Sequence, residues 1–164
     1  MGAGLAGTGI GVSVWPRLVL ADEDTRNAHE QFHRYSVDAI SITFVTRTGN
    51  YDFLVAYVGN PGNADSALIA RRALMPDQGV LYVNDTIRPI AISNQGVHFP
   101  TDLFFIAKDG RVLEVHPNIM ANDSRAIGSE MPVKAALQVI GGTAMRVSAM
   151  PGDHLLSRIF GRTL

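Results

Sequence analysis

Apolar and polar positions alternate along the chain from residue 39 onwards, and this pattern predicts β-strands. In the first segment Ile40, Ile42 and Phe44 share one face while hydroxyl residues occupy the other, which is the period of a half-buried strand. Other segments are more fully apolar. The predicted strands cover residues 39–45, 51–58, 79–83, 89–93, 102–107, 111–116, 133–140 and 154–160.

Turn and cap residues divide these strands. Gly49-Asn50 can take positive φ and predicts a tight turn, and Asp109-Gly110 is the strongest hairpin signal in the chain. Asn60-Pro61 pairs an N-cap side chain with a proline at the first helical position, so it predicts a helix over residues 60–74 that Pro76 ends.

The C-terminal part adds one more helix and a long loop. Thr143 is a plausible N-cap for a short helix through Ala149. Residues 117–131 predict a long loop, of the kind that usually binds a ligand or is disordered. Together the elements predict a mainly β (α+β) fold: a compact, barrel-like, strongly bent antiparallel or mixed sheet of about seven or eight short strands with two short helices.

The first 38 residues differ from this domain. Residues 1–21 are apolar with no charge before Arg17, and Val19 and Ala21 occupy the small positions that signal peptidase prefers. The segment is similar to the later part of a twin-arginine export signal but has no arginine pair. It predicts an exported, periplasmic protein, or alternatively a membrane or packing arm. Residues 22–38 predict a polar linker, residues 39–161 the domain, and residues 162–164 a tail.

Composition excludes several functional classes. The formal net charge is −1, which argues against a nucleic-acid partner. The chain contains no cysteine, so disulfides, thiolate catalysis and cysteine-ligated metals are excluded. The N-terminal glycines precede no βα unit and form no dinucleotide motif. We therefore expect no cofactor.

The stretch from residue 69 to residue 115 carries a family resemblance. It contains Arg88-Pro89, then Pro100-Thr101-Asp102 before an apolar strand, and then Asp109-Gly110. In order and spacing this stretch resembles the DUF192 family, also called UPF0127, and the resemblance extends over about residues 39–161. It implies a compact, mainly β, barrel-like domain, and it implies no activity because the family is one of unknown function.

One loop departs from the family pattern. Where the family typically has Phe-Trp-Met-Lys-Asn-Thr, this chain has Ile92, Ser93, Asn94, Gln95, Gly96 and Val97. An aromatic ring, a thioether and a cation are thus replaced by a hydroxyl and two amides, which bring donors and acceptors without charge. If the family binds a ligand there, this chain is expected to bind a different one, none, or a protein partner.

Catalytic and metal-binding interpretations have structural alternatives. Ser93, His98 and Asp102 could form a nucleophile, a base and an orienting group. No nucleophile elbow is present, so the favoured interpretation of Asp102 is an anchor that accepts hydrogen bonds from backbone N–H groups or an arginine. His29 and His33 have helical spacing but lack a third ligand, and the strand residues His116 and His154 stand singly, so no metal site is predicted.

Two further residues complete the candidate binding set. Arg72 is expected to form a structural ion pair with Asp77 or Asp102, or else to bind an anion in a pocket. Ser129 lies in a small-residue turn before a Pro-Val strand. The candidate ligand- or partner-binding residues are Arg72, Ser93, Asn94, Gln95, His98, Asp102 and Ser129.

These observations lead to three functional hypotheses. The first is a non-enzymatic, exported accessory domain that binds a protein or a polar small molecule through the loops 92–99 and 117–131. The second is a subunit of a membrane-bound complex held by residues 1–21. The third is a small-molecule hydrolase using Ser93, His98 and Asp102.

Overall fold

The computed structural model describes residues 39–61, 63–65, 67–69 and 71–161, with the backbone alone at 63–65. The predictions for residues 1–21, 22–38 and 162–164 lie outside these residues. Ten strands are described: β1 (Ala39–Thr46), β2 (Gly49–Gly59), β3 (Asn63–Asp65), β4 (Gln78–Arg88), β5 (Ala91–Ser93), β6 (Thr101–Ile106), β7 (Val112–Ile119), β8 (Ala126–Gly128), β9 (Val133–Ile140) and β10 (His154–Leu156). A one-turn helix, α1 (Thr143–Arg146), and a 3₁₀ turn (Arg158–Phe160) complete the described elements.

Seven strands form one curled sheet in the order β10-β1-β2-β4-β9-β6-β7. Only the β2–β4 pair is parallel among them. The two edges of the sheet come into local contact at the turn between β6 and β7, where His154 of β10 forms a β-bridge with Arg111 and the Leu155 N–H donates to the Gly110 carbonyl over 2.8 Å. The predicted bent, barrel-like, mainly β fold is therefore confirmed as a half-barrel.

A second, three-stranded sheet in the order β3-β5-β8 covers the outer face of the half-barrel. β5 pairs with β8 through Ile92 and Ile127. The central strands of the large sheet consequently have both faces buried. This explains the nearly continuous apolar runs of β4 and β6, since a two-sided strand has no solvent face to keep polar.

Two apolar clusters follow from the two faces. The inner cluster fills the half-barrel and contains the edge-to-face pair Phe44 and Phe104, whose ring centroids lie 5.2 Å apart. The outer cluster lies between the sheets and contains Tyr82, Leu103 and Phe105. Successive residues of β4, β6 and β9 alternate between the clusters, so register alone assigns each side chain to one of them.

The helix predicted over residues 60–74 is wrong. The described part of that range contains β3, which pairs with β5, and a turn at residues 67–69. Asn60 has φ 47°, in the left-handed region and not the extended region of an N-cap. Its side chain instead accepts from the Asp85 N–H over 3.0 Å and donates to the Asp85 carboxylate, so a contact with β4 overrides the local helix signal.

Several predicted boundaries also change. The first hairpin turns at Arg47-Thr48, because Gly49 already pairs with Thr46. Residues 117–131 are not one continuous loop, since β7 extends to Ile119 and β8 occupies 126–128. The last predicted strand ends at Leu156 and is followed by the 3₁₀ turn. By contrast, the strand predicted at residues 133–140 and the Asp109-Gly110 hairpin are confirmed.

Thr143 does not cap α1, which contradicts the prediction. Gly142 is the N-cap residue, with φ 89° and no side-chain cap, and the helix ends at Arg146 instead of Ala149. The carboxylate of Asp102 in β6 takes over the capping role, because it accepts from the N–H groups of Gly142 and Ala144 over 3.2 and 2.6 Å. A side chain 40 residues away in sequence therefore satisfies the start of this helix.

Candidate functional site

The two loops predicted to form a binding surface lie against each other. Asn94 donates from Nδ2 to the carbonyls of Ile119 and Met120 over 3.2 and 3.0 Å. Asn122 makes a second connection, because its Oδ1 accepts from the Gly96 N–H over 2.9 Å and its own N–H donates to the Val97 carbonyl over 2.8 Å. We call the surface formed by residues 92–99 and 117–122 the loop ledge.

The loop ledge alternates between buried and exposed side chains. Ile92, Asn94, Val97 and Phe99 are buried under it. Its exposed side chains include Gln95, His98 and Met120, and Met120 is 64% exposed. The ledge therefore presents an amide, an imidazole and a thioether on a backbone that hydrogen bonds hold in place.

Gly96 has a specific role in this loop. Its φ of 76° lies in the left-handed region, and a Cβ built there would approach the Ile69 side chain to 3.4 Å. Ile69 is itself 41% exposed. An apolar side chain therefore lies beside Gly96 at the ledge, and a residue with a side chain at position 96 would be strained by the positive φ.

Beneath the ledge, four polar side chains form a buried network between the two sheets. Asn94 accepts at Oδ1 from Gln138 Nε2 over 2.9 Å and from Thr101 Oγ1 over 3.0 Å. The Tyr82 hydroxyl donates to Gln138 Oε1 over 3.0 Å and accepts from the Ala67 N–H over 2.9 Å. The network joins β4, β6, β9 and the 67–69 turn to the ledge, and such a buried network is stabilising only because its members satisfy one another.

Asn94 is therefore not the exposed contact residue that a polar loop suggests. It is only 1% exposed, and all its described hydrogen bonds are made inside the protein. Sequence analysis missed Asn122, Gln138 and Tyr82. The positive φ of 55° at Asn122 is a conformation that asparagine tolerates, but nothing local indicates its partner.

Of the two adjacent arginines, Arg71 is buried and Arg72 is not. Arg71 is 5% exposed and Arg72 is exposed. Burial lowers the pKa of the Arg71 guanidinium, and the nearby Tyr82 phenol acts in the opposite direction. The structural ion pair expected for Arg72 with Asp77 or Asp102 is not among the described ion pairs, and the Arg72 side chain is exposed.

Asp102 has the anchoring role that was the alternative to catalysis. Its carboxylate accepts from three backbone N–H groups, those of Asn118, Gly142 and Ala144, the first over 2.8 Å. It is fully buried, whereas His98 is exposed. The structure shows no hydrogen bond from Asp102 to His98 or Ser93 among the described residues, so it does not bring the three together as a charge relay.

Ser93 ends β5 of the small sheet, and Ser129 directly follows β8 of the same sheet. Ser93 is half-buried at the end of β5. The Ser129 hydroxyl accepts from the Ile90 N–H over 3.3 Å, and its own N–H donates to the Ile90 carbonyl over 2.9 Å. Both residues therefore hold the strand that leads into the ledge, and a binding role for them, as for Gln95 and His98, stays a prediction.

Within residues 39–161 as described, no three histidine or acidic side chains cluster as metal ligands would. No helix in the described ranges has the length and hydropathy needed to span a membrane.

Fold and site together define a mainly β half-barrel domain with a hydrogen-bonded loop ledge that contains no lysine, arginine, aspartate or glutamate. The chain belongs to the DUF192 family, described as "Uncharacterized ACR", whose model matches residues 43–157. The resemblance inferred from the sequence is thereby confirmed. No curated protein matches the chain.

Two solved structures share the fold. A Sinorhizobium meliloti 1021 protein described as a "putative transcription regulator" is 29% identical, with a TM-score of 0.69, over 76% of this chain and 97% of that one. A protein of unknown function from Novosphingobium aromaticivorans DSM 12444 is 22% identical, with a TM-score of 0.66, over 73% of this chain and 85% of that one. The family and the second protein leave the activity undefined.

Proposed function

We propose that this protein is a non-enzymatic, exported accessory domain that binds a protein partner through the loop ledge. The observation that carries the proposal is the interlocking of two loops, distant in sequence, by the side chains of Asn94 and Asn122. Such loops lose little conformational entropy on binding, because their backbone is already held in one conformation.

The chemistry of the ledge supports a protein over a charged small molecule. Its exposed side chains include Gln95, His98 and Met120, and the partly exposed Ile69 lies beside Gly96. Methionine adapts its shape to a partner, and amides supply hydrogen bonds at the rim. No lysine or arginine lies within the ledge, so this surface lacks the cations that would contact nucleic-acid phosphates.

The two alternative hypotheses are separable from this one. A hydrolase would need a carboxylate to orient His98, and the backbone N–H groups occupy that of Asp102; loss of turnover in His98→Ala would be required to revive it. Export and membrane attachment depend on residues 1–21. Mass measurement of the native protein distinguishes them, because a start near Asp22 favours export and an intact Met1 favours a membrane-bound subunit.

Site-specific photo-crosslinking in the source cells tests the proposed surface. A crosslinking amino acid replaces Gln95 in one variant, and Lys108 in the matched control. Both positions are exposed, and they lie beyond opposite ends of β6, about 20 Å apart for its six residues. We expect a discrete adduct with one protein from position 95 only.

A second variant checks that the ledge side chains cause the adduct. His98→Ala combined with Met120→Ala, in the position-95 protein, should abolish the adduct while thermal unfolding stays unchanged, because both side chains are exposed. Equal crosslinking from positions 95 and 108, or no adduct from either, would contradict binding at the ledge.

A further inference from the structure

Beyond the end of β10, the edge of β1 carries backbone groups that no other described residue pairs with. β10 pairs with β1 only from Thr43 to Val45. The Leu155 N–H donates away from β1, to Gly110, so Thr43 and Val45 are the residues that exchange hydrogen bonds with β10. By the alternation of an antiparallel ladder, the N–H and C=O of Ser41 point to the same side.

The geometry of the first hairpin independently indicates that the Ser41 N–H and C=O point away from β2. It has a two-residue turn closed by the Thr46 and Gly49 pair, which directs the backbone groups of Thr46 and of every second residue before it towards β2. Ser41 therefore has its N–H and C=O on the open side, and the structure shows no backbone partner for them among the described residues.

A groove follows this edge. It has a volume of about 440 Å³ and is lined by Ile40, Ser41, Thr43, Leu156, Ser157, Arg158 and Ile159. Ile40 and Ile159 are partly buried against the inner cluster, so the floor is aliphatic. Arg158 is exposed at the rim and makes no ion pair with another described residue.

We infer that this groove binds an extended peptide of a partner protein as an added strand beside β1, with an acidic side chain facing Arg158. Unpaired strand-edge groups are a template for a further strand, the backbone supplying affinity and alternate side chains specificity. The free guanidinium complements a carboxylate, and the aliphatic floor accepts a β-branched residue next to it. This surface is separate from the loop ledge.

The full-length protein is titrated with a fluorescein-labelled peptide, acetyl-Thr-Val-Thr-Val-Glu-Val-Thr-amide, and anisotropy is measured. A matched peptide has lysine in place of glutamate. We expect saturable binding of the glutamate peptide with a Kd below about 1 mM, and at least about tenfold weaker binding of the lysine peptide. Arg158→Glu should reverse this preference. Absence of saturable binding would overturn the proposal.

Two substitutions at one position separate backbone recognition from side-chain recognition. Ser41→Pro removes the outward N–H without breaking a bond to β2, and proline is tolerated on an edge strand. Ser41→Ala keeps that N–H and removes only the hydroxyl. Binding should be lost in the first variant and kept in the second, with both folded by thermal unfolding; retention of binding in Ser41→Pro would refute strand addition.

Hydrogen exchange shows whether a partner peptide or another part of the same chain pairs with the β1 edge. In the full-length protein without peptide, the Ser41 amide should exchange fast, and the peptide should protect it by at least about tenfold. A Ser41 amide already protected in the absence of peptide would mean that residues of the same chain cover the edge, which would overturn the assignment to a partner.

Discussion

Asn94→Ala is the substitution that tests the interlocked loops most directly. It removes three donated hydrogen bonds, to the Phe99, Ile119 and Met120 carbonyls, and two accepted ones, from Thr101 and Gln138. Thr101 and Gln138 remain hydrogen-bonded to each other over 3.3 Å. The buried groups that lose their hydrogen-bond partner are therefore mainly the Ile119 and Met120 carbonyls.

The expected cost follows from this inventory. Leaving a buried polar group unsatisfied costs about 1–3 kcal/mol, and a net hydrogen bond contributes about 1 kcal/mol. With partial relaxation of the loop, the free energy of unfolding should fall by about 2–4 kcal/mol. At about 2–4 °C per kcal/mol for a chain of this size, the melting temperature should fall by roughly 10 °C.

Urea unfolding measures the loss of unfolding free energy, with the same dependence on urea concentration (the m-value) in both proteins. Gln95→Ala is the matched control. Gln95 is the next residue and is exposed, so its truncation should change the unfolding free energy by less than about 0.5 kcal/mol. Hydrogen exchange at Val97 and Asn122 should accelerate only in the Asn94 variant. If Asn94→Ala unfolds within about 0.5 kcal/mol of the parent protein, the network does not hold the ledge.

Three further predictions concern other parts of the fold. Asp102→Ala should lower the unfolding free energy by about 2–4 kcal/mol in urea titrations, because three backbone N–H groups lose their acceptor; a loss under about 1 kcal/mol would contradict the anchoring role. Gly110→Ala should cost at least about 2 kcal/mol in the same assay, since φ is 85° and a Cβ would lie 2.3 Å from the Leu155 carbonyl oxygen. The Arg125 side chain lowers the pKa of Asp123 to about 2. Arg125 stabilises the charged carboxylate of Asp123 in the folded state. The pair therefore contributes stability above the unfolded pKa of about 3.9, and that contribution is lost as pH falls towards 2. NMR titration of Asp123 should show this pKa, and Arg125→Ala should raise it towards its ordinary value.

The local signals that succeeded are those that tertiary contacts reinforce. The strand at residues 133–140 was predicted with its observed bounds, and the Asp109-Gly110 turn was predicted as a hairpin. In both, the apolar period and the turn chemistry agree with the final packing. The N-cap signal at Asn60 failed because its side chain has a partner in Asp85, on a strand that local reasoning does not bring near.

At the candidate site, too, the sequence indicated some features and tertiary contacts decided the others. Sequence indicated that the loop at residues 92–97 is polar and unusual, and it indicated Asp102 as an anchor. It could not separate Asn94, which is buried, from Gln95, which is exposed. That difference depends on the carbonyls of Ile119 and Met120, which lie 25 and 26 residues away.

From the sequence alone, then, the mainly β class, the family, the absence of cysteine chemistry and the approximate strands were determined, because each depends on composition, period or motif order over a short range. Only the tertiary structure decided that Arg71 is buried in place of Arg72, that Asp102 caps α1, and that two separate loops form one ledge. These outcomes depend on pairing between strands distant in sequence, and local periodicity does not specify which strands meet.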